Sequence, residues 1–433
     1  MPPSGRCLWR TLREKAAVPP AMTNIVRDSR QQLLDIFQAA LAETNGRARV
    51  SKYLRKYSLA NPIFLIAFGK AAGAMARGAH EALGDRILSG LVIAKRGSSE
   101  LLPWPVLEAG HPMPDEASLK AGERLIEFVK SIPQDAQVLV LLSGGASALV
   151  EALPSGLGLT QLRELNRWLL GAGLDIHAMN AIRKRISRLK GGRLAQLLYP
   201  RKVLCLAISD VSGDDPRSIG SGPLVVEPEA DTPQLSAGAP EWLRTALQQA
   251  PPLPRPNDAC FRSVEFKIIA RLDDAKRAAA ETARKLGYKV KSHAEFIEGD
   301  AVETGEQLAR GLLESEPGVV QMWGGETTVR LPPNPGRGGR NQSLALSAAR
   351  VLKGRENVWL LSAGTDGSDG PTEDAGALVD GATVARGKLH GLDADVALAK
   401  ADAGTFLEAS GDLIHTGPTG TNVMDLMLGL KSE

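Results

Sequence analysis

Cysteine, histidine and aromatic residues are scarce in this sequence of 433 residues. It contains 3 cysteines and 6 histidines, and only 4% of its residues are aromatic. Because Cys7, Cys205 and Cys260 lie far apart, we expect neither a disulfide framework nor a cysteine-based zinc site. The small number of aromatic rings also argues against a surface on which the bases of single-stranded nucleic acid would stack.

Long apolar runs and an excess of charge of one sign are also absent. The longest apolar runs, such as Ile63–Phe68 and Val138–Leu142, are far shorter than the ~20 residues of a membrane-spanning helix. The 52 basic and 49 acidic side chains give a net charge of only +3. We therefore expect a cytoplasmic protein with a small anionic ligand and no membrane or nucleic-acid polymer as partner. A homo-oligomer is compatible with this sequence.

The sequence instead contains a repeated alternation of apolar strands, glycine-marked loops and amphipathic helices. Strands predicted at 63–68, 88–94, 138–142 and 203–208 alternate with helices, which is typical of a parallel sheet. We predict an α/β fold with two α/β domains, the N-terminal one a Rossmann-like αβα sandwich. Ligands of such sheets bind beyond the carboxyl ends of the strands, so we expect a site at these glycine-marked exits.

A proline-rich segment suggests where the domains separate. Seven prolines lie between residues 228 and 256, and such crowding is typical of linkers. We predict an N-terminal domain at 28–255 and a second domain at 256–433 that begins with a strand at 266–270. Residues 1–27, which are rich in arginine, are predicted to be a disordered extension without a targeting role.

Two cations occur in loops that are suited to binding an anion. Lys70 lies between Gly69 and Ala71, where the first strand turns into a helix, although the sequence lacks the spacing of a Walker A motif. Arg340 ends a glycine-rich segment that begins at Gly336 and directly precedes a helix. A guanidinium offers two parallel N–H donors to phosphate or carboxylate, and neighbouring glycines let a ligand approach closely. An isolated lysine at a helix start is also often only solvated.

Two further segments are candidates for phosphate binding. The loop that starts at Ser143 follows a strand and presents backbone N–H groups that no side chain blocks, although it could equally be a tight turn. A basic stripe follows it on a predicted helix at 175–189, for which a solvated helix face is an equally good interpretation. The predicted substrate or phosphate ligands are Ser143, Gly144, Gly145, Ser147, Asn180, Arg183, Lys190 and Asn341.

Carboxylates in loops after apolar strands indicate where Mg²⁺ could bind, because this ion takes one or two carboxylates together with the phosphates of a nucleotide. Asp369 occurs in such a loop as well. The sequence has no GxGxxG fingerprint after the first strand, which disfavours a nicotinamide cofactor, and no GxSxG nucleophile elbow. The predicted metal ligands are Asp210, Glu326 and Asp366.

Motifs along nearly the whole chain resemble those of one known family. They include LSGGASALV from Leu142, NAIRKRISRLKGGRLA from Asn180, SDVSGDDP from Ser209 and GTDGSDGPTEDAGA from Gly364. With Gly69-Lys70-Ala71, GSGP, GGETTV, GRGGRNQ and HTGPTGTNVMDL, they are similar to class II glycerate 2-kinases, whose C-terminal half is called the MOFRL domain. The chain departs from that family at Ala146, at Ala270–Leu272 and at Ala401–Ala403.

The resemblance implies ATP-dependent phosphorylation of D-glycerate at its 2-hydroxyl, giving 2-phospho-D-glycerate and ADP with Mg²⁺ as cofactor. It also implies an active site in a cleft between the two α/β domains. The essential lysine and arginine of the family fall on Lys70 and Arg340, and Asp210 is the third catalytic candidate. One of the aspartates Asp210 and Asp366 would accept the proton of the 2-hydroxyl. Alternative readings are an NAD(P)H-dependent hydroxypyruvate reductase, a kinase of a related hydroxy acid, or a sensor that binds hydroxy acids without catalysis. The nucleotide-binding candidates in the family motifs are Gly324, Gly325, Gly364, Thr365, Thr419 and Asn422.

Overall fold

Two six-stranded sheets form the framework of the molecule. The computed structural model describes residues 28–97, 100–174, 176–227, 235 and 238–432. The predicted disordered extension at 1–27 lies outside these residues. The prediction of an α/β fold with two sheet-based halves is confirmed.

The first sheet is entirely parallel, with the strand order β3-β2-β1-β4-β5-β6. Its central strands are continuous apolar runs because helices cover both faces, which is the usual reason why parallel sheets lack alternation. Leu139, Val140 and Leu141 in succession are fully buried. The strands are β1 (Ile63–Phe68), β2 (Ile87–Lys95), β3 (Val106–Ala109), β4 (Gln137–Leu142), β5 (Lys202–Ile208) and β6 (Val264–Ala270).

The helices of this half begin at residues with suitable caps. Asp28, Asn45 and Asp115 each accept a hydrogen bond from a backbone N–H in the first turn of the helix that follows. The helices are α1 (Ser29–Thr44), α2 (Gly46–Leu54), α3 (Ala72–Leu83), α4 (Glu116–Ser131), α5 (Ala146–Leu149), α6 (Leu159–Gly171), α7 (Ile176–Ile186), α8 (Arg193–Leu198) and α9 (Glu241–Gln249). Helices α6, α7 and α9 share an apolar cluster of their own, and we call them the helical lobe.

The second sheet is mixed, with the strand order β11-β10-β9-β12-β8-β7. Only β7 and β8 run parallel; the other neighbours are antiparallel. The strands are β7 (Lys289–Ile297), β8 (Val319–Gly325), β9 (Val358–Gly364), β10 (Gly376–Asp380), β11 (Leu413–Ile414) and β12 (Asp425–Lys431). The helices are α10 (Leu272–Lys285), α11 (Ala301–Glu314), α12 (Arg340–Leu352), α13 (Thr383–Leu389), α14 (Ala394–Ala399) and α15 (Ala403–Ser410).

The strand predicted at 266–270 is present, but its predicted place at the start of the second half is wrong. This strand, β6, pairs in parallel with β5 and completes the first sheet, so it does not begin the second half. The proline-rich segment before it contains α9, which packs in the helical lobe, and the chain then re-enters the first sheet as β6. Proline marks irregular structure equally well within a domain and between domains. The domain boundary itself stays a prediction.

The two halves share one apolar core. A single cluster of buried side chains contains Leu65 and Leu204 from the first sheet, together with Val320 and Leu361 from the second. Helix α1 packs against α10 and also contacts β9 and β12. No helix in the described part of the chain is long and apolar enough to cross a membrane.

Candidate active site

The first sheet contributes the loops that follow β1, β4 and β5. The backbone N–H of Lys70 donates to the Gly144 carbonyl at 2.8 Å, and the N–H of Ala71 donates to Ser143 Oγ at 3.0 Å. A Cβ atom on Gly144 would lie 1.9 Å from Asp210 Oδ2. Only glycine therefore fits where the three strand exits meet. Ser143 is fully buried and links the β1 and β4 loops.

The second sheet contributes Arg340, the first residue of α12. Its guanidinium donates to both carboxylate oxygens of Asp425, at 2.6 and 3.0 Å, and its third nitrogen lies 2.7 Å from Glu326 Oε1. The side chain of Asp425 is fully buried, whereas Arg340 is 33% and Glu326 45% exposed. Asp425 thus anchors the arginine, while Glu326 pairs with it on the solvent side.

Asp369 caps the helix that carries Arg340. Its carboxylate accepts the backbone N–H groups of Asn341, at 3.1 Å, and Gln342, at 2.8 Å. Burial raises the pKa of Asp369 to about 7, against the opposing effect of these N–H groups. Asn341 is itself buried and accepts from Ser362 Oγ at 2.7 Å. It therefore supports the helix start and does not face solvent.

Two polar contacts join the halves at this place. Lys70 Nζ lies 2.7 Å from Asp366 Oδ2, and Asn422 Nδ2 donates to Asp210 Oδ2 at 3.2 Å. Lys70 and Asp210 belong to the first half, Asp366 and Asn422 to the second. We call the space bordered by these four residues and Arg340 the cleft.

The cleft combines cations with carboxylates whose pKa values shift in opposite directions. Burial would raise the pKa of Asp366, but the Lys70 ammonium and the donors of Ser368 outweigh it and lower that pKa. Burial raises the pKa of Asp210 to about 6; Lys70 opposes this rise and Glu326 adds to it. Burial also raises the pKa of Glu326 despite the nearby Arg340. Cations from both halves thus face a set of competing carboxylates.

Comparison with known proteins assigns this arrangement to a family. Residues 32–239 match the model of a domain of unknown function (DUF4147), and residues 319–425 match the MOFRL family. A D-glycerate 2-kinase from Thermotoga maritima is 38% identical over 88% of this chain and 93% of its own length. A glycerate 2-kinase from Pyrococcus horikoshii is 33% identical, over 88% and 89% of the two chains. This chain belongs to the glycerate 2-kinase family.

Solved structures and a second name complete the comparison. The crystal structure of the Thermotoga maritima glycerate kinase matches with a TM-score of 0.80 and 36% identity, over 93% of this chain and 99% of that one. A protein from Agrobacterium vitis with the provisional name hydroxypyruvate reductase is 37% identical, over 92% of this chain and 93% of its own. Both names thus occur among relatives of this glycerate 2-kinase family member.

The predicted nucleotide ligands lie at the strand exits of the second half, where most bond to the protein itself. Thr365 Oγ1 donates to the Met424 carbonyl at 2.7 Å, and Thr419 Oγ1 donates to the Thr365 carbonyl at 2.6 Å. These bonds tie the loop after β9 to the loop before β12. The glycines Gly324, Gly325 and Gly364 end β8 and β9 and belong to the sheet ladder.

Lys190 and Ser147 bond to the protein itself, and a ligand role for them stays a prediction. Lys190 forms a buried ion pair with Glu151 and donates to the Ser147 carbonyl at 3.1 Å, with 5% and 3% of the two charged side chains exposed. Ser147 Oγ lies 2.6 Å from Ser221 Oγ. A buried ammonium needs a carboxylate partner, and this need explains the position of Lys190.

Asn180 and Arg183 lie in the helical lobe and contact each other. Arg183 donates to Asn180 Oδ1 at 3.3 Å and to Asn166 Oδ1 at 3.4 Å. Burial lowers the pKa of Arg183, and Glu151 opposes that shift. The two residues are half-buried, so a ligand role for them remains a prediction.

Sequence reasoning missed two residues of the cleft, Lys95 and His111. Lys95 ends β2 and donates to Ser368 Oγ at 3.2 Å; Ser368 in turn donates to Asp366. His111 follows β3, a strand that was not predicted. Both lie at the carboxyl ends of strands of the first sheet. Had β3 been predicted, its position beside β2 would have indicated that both residues face the site.

Proposed function

We propose that this protein transfers the γ-phosphoryl group of ATP to the 2-hydroxyl of D-glycerate, giving 2-phospho-D-glycerate and ADP. The observation that carries the proposal is the presence of Lys70 and Arg340, one from each half, in a single cleft. The names of the Thermotoga and Pyrococcus relatives support the choice of substrate. Phosphoryl transfer depends mainly on positioning and on stabilising negative charge, which two cations on separate sheets can supply.

Lys70 and Arg340 neutralise the anionic ends of the two substrates in this proposal. Both cations already pair with carboxylates of the cleft, the nearly buried Asp366 and the accessible Glu326. Phosphate or carboxylate oxygens of a ligand would offer similar partners. Asp425 remains bound behind Arg340 throughout and keeps its fork oriented. The cleft is thus prepared for anions before any substrate enters.

Asp210 is the proposed proton acceptor. Unlike Asp366 and Glu326, it forms no ion pair within the described part of the chain; its side-chain partner is the amide of Asn422. As the 2-hydroxyl oxygen bonds to the γ-phosphorus, the proton passes to Asp210 and the bond from that phosphorus to ADP breaks. A neutral partner leaves the carboxylate free to accept that proton.

The described residues contain no group of three or more histidine, cysteine or acidic side chains that could hold a metal ion. The three predicted ligands each bond to a different partner, so they do not form a preformed cage. Three buried hydroxyls at the same strand exits, of Ser209, Thr327 and Thr421, lack a partner within the described chain, which fits a polar ligand there. Glu326, the most accessible carboxylate, would hold Mg²⁺ together with nucleotide phosphates, and the ion would neutralise phosphate charge.

Product analysis tests the proposed function. The protein is incubated with D-glycerate, ATP and Mg²⁺, ADP release is followed by a coupled assay, and the phosphorylated carbon is identified by NMR. We expect ADP and 2-phosphoglycerate in equal amounts. Oxidation of NADH with hydroxypyruvate, in the absence of ADP release from ATP and D-glycerate, would instead support the reductase reading.

A further inference from the structure

His111 lies against the loop that follows β4. A Cβ atom on Gly145 would be 2.9 Å from His111 Cδ2, 3.0 Å from its Nε2 and 3.0 Å from Lys70 Cγ. The imidazole and the Lys70 side chain therefore border the same small volume. Because Gly145 has no side chain, the imidazole packs directly against the backbone of this loop, beside Lys70. His111 is half-buried, so a ligand can reach it.

Cations surround this imidazole. Lys70, Lys95 and Arg340 all lower the pKa of His111, Asp366 raises it, and burial is the largest single cause of a fall to about 3. The ring is thus a neutral group among charged ones at physiological pH. A neutral imidazole has one N–H donor and one acceptor nitrogen, the same pair that a hydroxyl group needs.

We propose that His111 binds the hydroxyl of the acid that is not phosphorylated, the one on carbon 3, and so makes the cleft selective for 2,3-dihydroxy acids. This inference rests on the proposed function. The carboxylate and the phosphoryl group are drawn to the ammonium and guanidinium groups, whose charge they neutralise. The uncharged imidazole, which lies beside Lys70, is left for the uncharged end of the substrate.

The position of His111 also explains why it discriminates. When an acid without the second hydroxyl enters, the imidazole loses its partner inside a desolvated cleft, which costs more than a missing contact on an open surface. The same glycine loop approaches the reacting groups: a Cβ atom on Gly144 would clash with Asp210, and one on Gly145 would clash with His111 and Lys70. Selectivity is thereby coupled to the loop that holds the reacting groups.

A comparison of two substrates in two proteins tests the inference. D-glycerate and D-lactate, which lacks the 3-hydroxyl, are assayed for kcat/KM with wild type and His111→Ala, and dissociation constants are measured in parallel. We expect wild type to prefer D-glycerate by roughly 10- to 100-fold, as one satisfied hydrogen bond allows. In His111→Ala this preference falls to within about threefold, chiefly through the KM for D-glycerate. His111→Gln, which keeps a donor and an acceptor, regains part of it.

Controls separate selectivity from stability. The ratio is taken between two substrates on one protein preparation, so partial unfolding cancels. His390→Ala removes an exposed histidine of the second half and should leave the ratio unchanged. An unaltered ratio in His111→Ala would overturn the inference. If wild type phosphorylates neither acid, the proposed function fails, and the ratio of dissociation constants still decides the role of His111.

Discussion

The cations of the cleft and those of the helical lobe are paired in different ways. In the lobe and its exit, Lys190 pairs with Glu151 out of contact with solvent, and Arg193 donates to main-chain carbonyls. In the cleft, Lys70 and Arg340 also pair with carboxylates but keep 18% and 33% of their side chains exposed. Lys190 and Arg193 are therefore held within the fold, whereas Lys70 and Arg340 stay accessible to a ligand.

The largest expected effect is on Arg340. Arg340→Lys keeps a positive charge beside the buried Asp425, so we expect a folded protein, but an ammonium cannot bond to Asp425 and a phosphoryl group in the same geometry. We expect kcat to fall by roughly 1000-fold, in the range that catalytic arginines contribute. Arg350→Lys, at a surface ion pair, is the matched control and should keep its turnover. An equal loss in both variants would remove the distinction between cleft and surface.

A substitution at Lys190, at the exit of the helical lobe, should lower stability and leave substrate binding unchanged. Lys190→Met leaves Glu151 buried without its cation, and we expect the free energy of unfolding in urea to fall by about 3 kcal/mol. The KM values for both substrates should stay within twofold of wild type. Lys190→Met combined with Glu151→Leu should recover most of the loss, because no uncompensated charge remains. A raised KM in folded Lys190→Met would return this residue to the binding site.

A smaller effect concerns the cap of α12. The pKa of Asp369 is about 7 in the folded protein, above its ordinary value of 3.8. The folded state therefore holds more protons than the unfolded state between these values, and stability should fall as pH rises from about 4 to about 7. Asp369→Asn removes this titration. Between about pH 4 and pH 7 the free energy of unfolding of the variant should therefore change by at least ~1 kcal/mol less than that of wild type. Identical pH dependence in both proteins would contradict the assignment.

The smallest effect is expected at Arg185. This residue of α7 donates to the carbonyls of Pro251 and Ala250, at 2.9 and 3.4 Å, near the end of α9. Arg185→Gln should lower the free energy of unfolding by about 1 kcal/mol. The variant loses hydrogen bonds to neutral carbonyls, and no charged group is left buried without a partner. Turnover should be unchanged. A loss as large as that of Lys190→Met would show that burial of charge is not the deciding factor.

Strands with continuous apolar sequence were predictable to within a residue, whereas the short edge strand β3 was not predicted. Strand β1 was predicted with its observed bounds, and β4 and β5 to within a residue, because their apolar runs end in glycine or serine loops. The short edge strand β3 carries a glutamate and no such run. The sequence also did not predict to which sheet β6 belongs. This strand pairs with β5, from which a long proline-rich connection separates it in sequence.

Site residues were predictable where they belong to a sequence motif. They were not predictable where only the pairing of distant strands brings them to the site. Lys70, Asp210, Glu326, Arg340 and Asp366 all border or face the cleft. Asp425 was missed because its role follows from the antiparallel register of β12 and β8, in which it lies opposite Gly325. Its partner Arg340 is 85 residues away in sequence, and no local pattern links the two.

The most direct test of the account is the Lys70→Met variant, measured for kcat and for thermal unfolding. Asp366 keeps the donors of Ser368, and its ion pair with Lys70 is less deeply buried than that of Lys190 with Glu151, so the loss of stability should be smaller than in Lys190→Met. The account predicts a loss of kcat of at least about 1000-fold, from removal of a charge that neutralises the transferred group, with the unfolding midpoint within a few degrees of wild type. A folded variant with kcat close to wild type would contradict it.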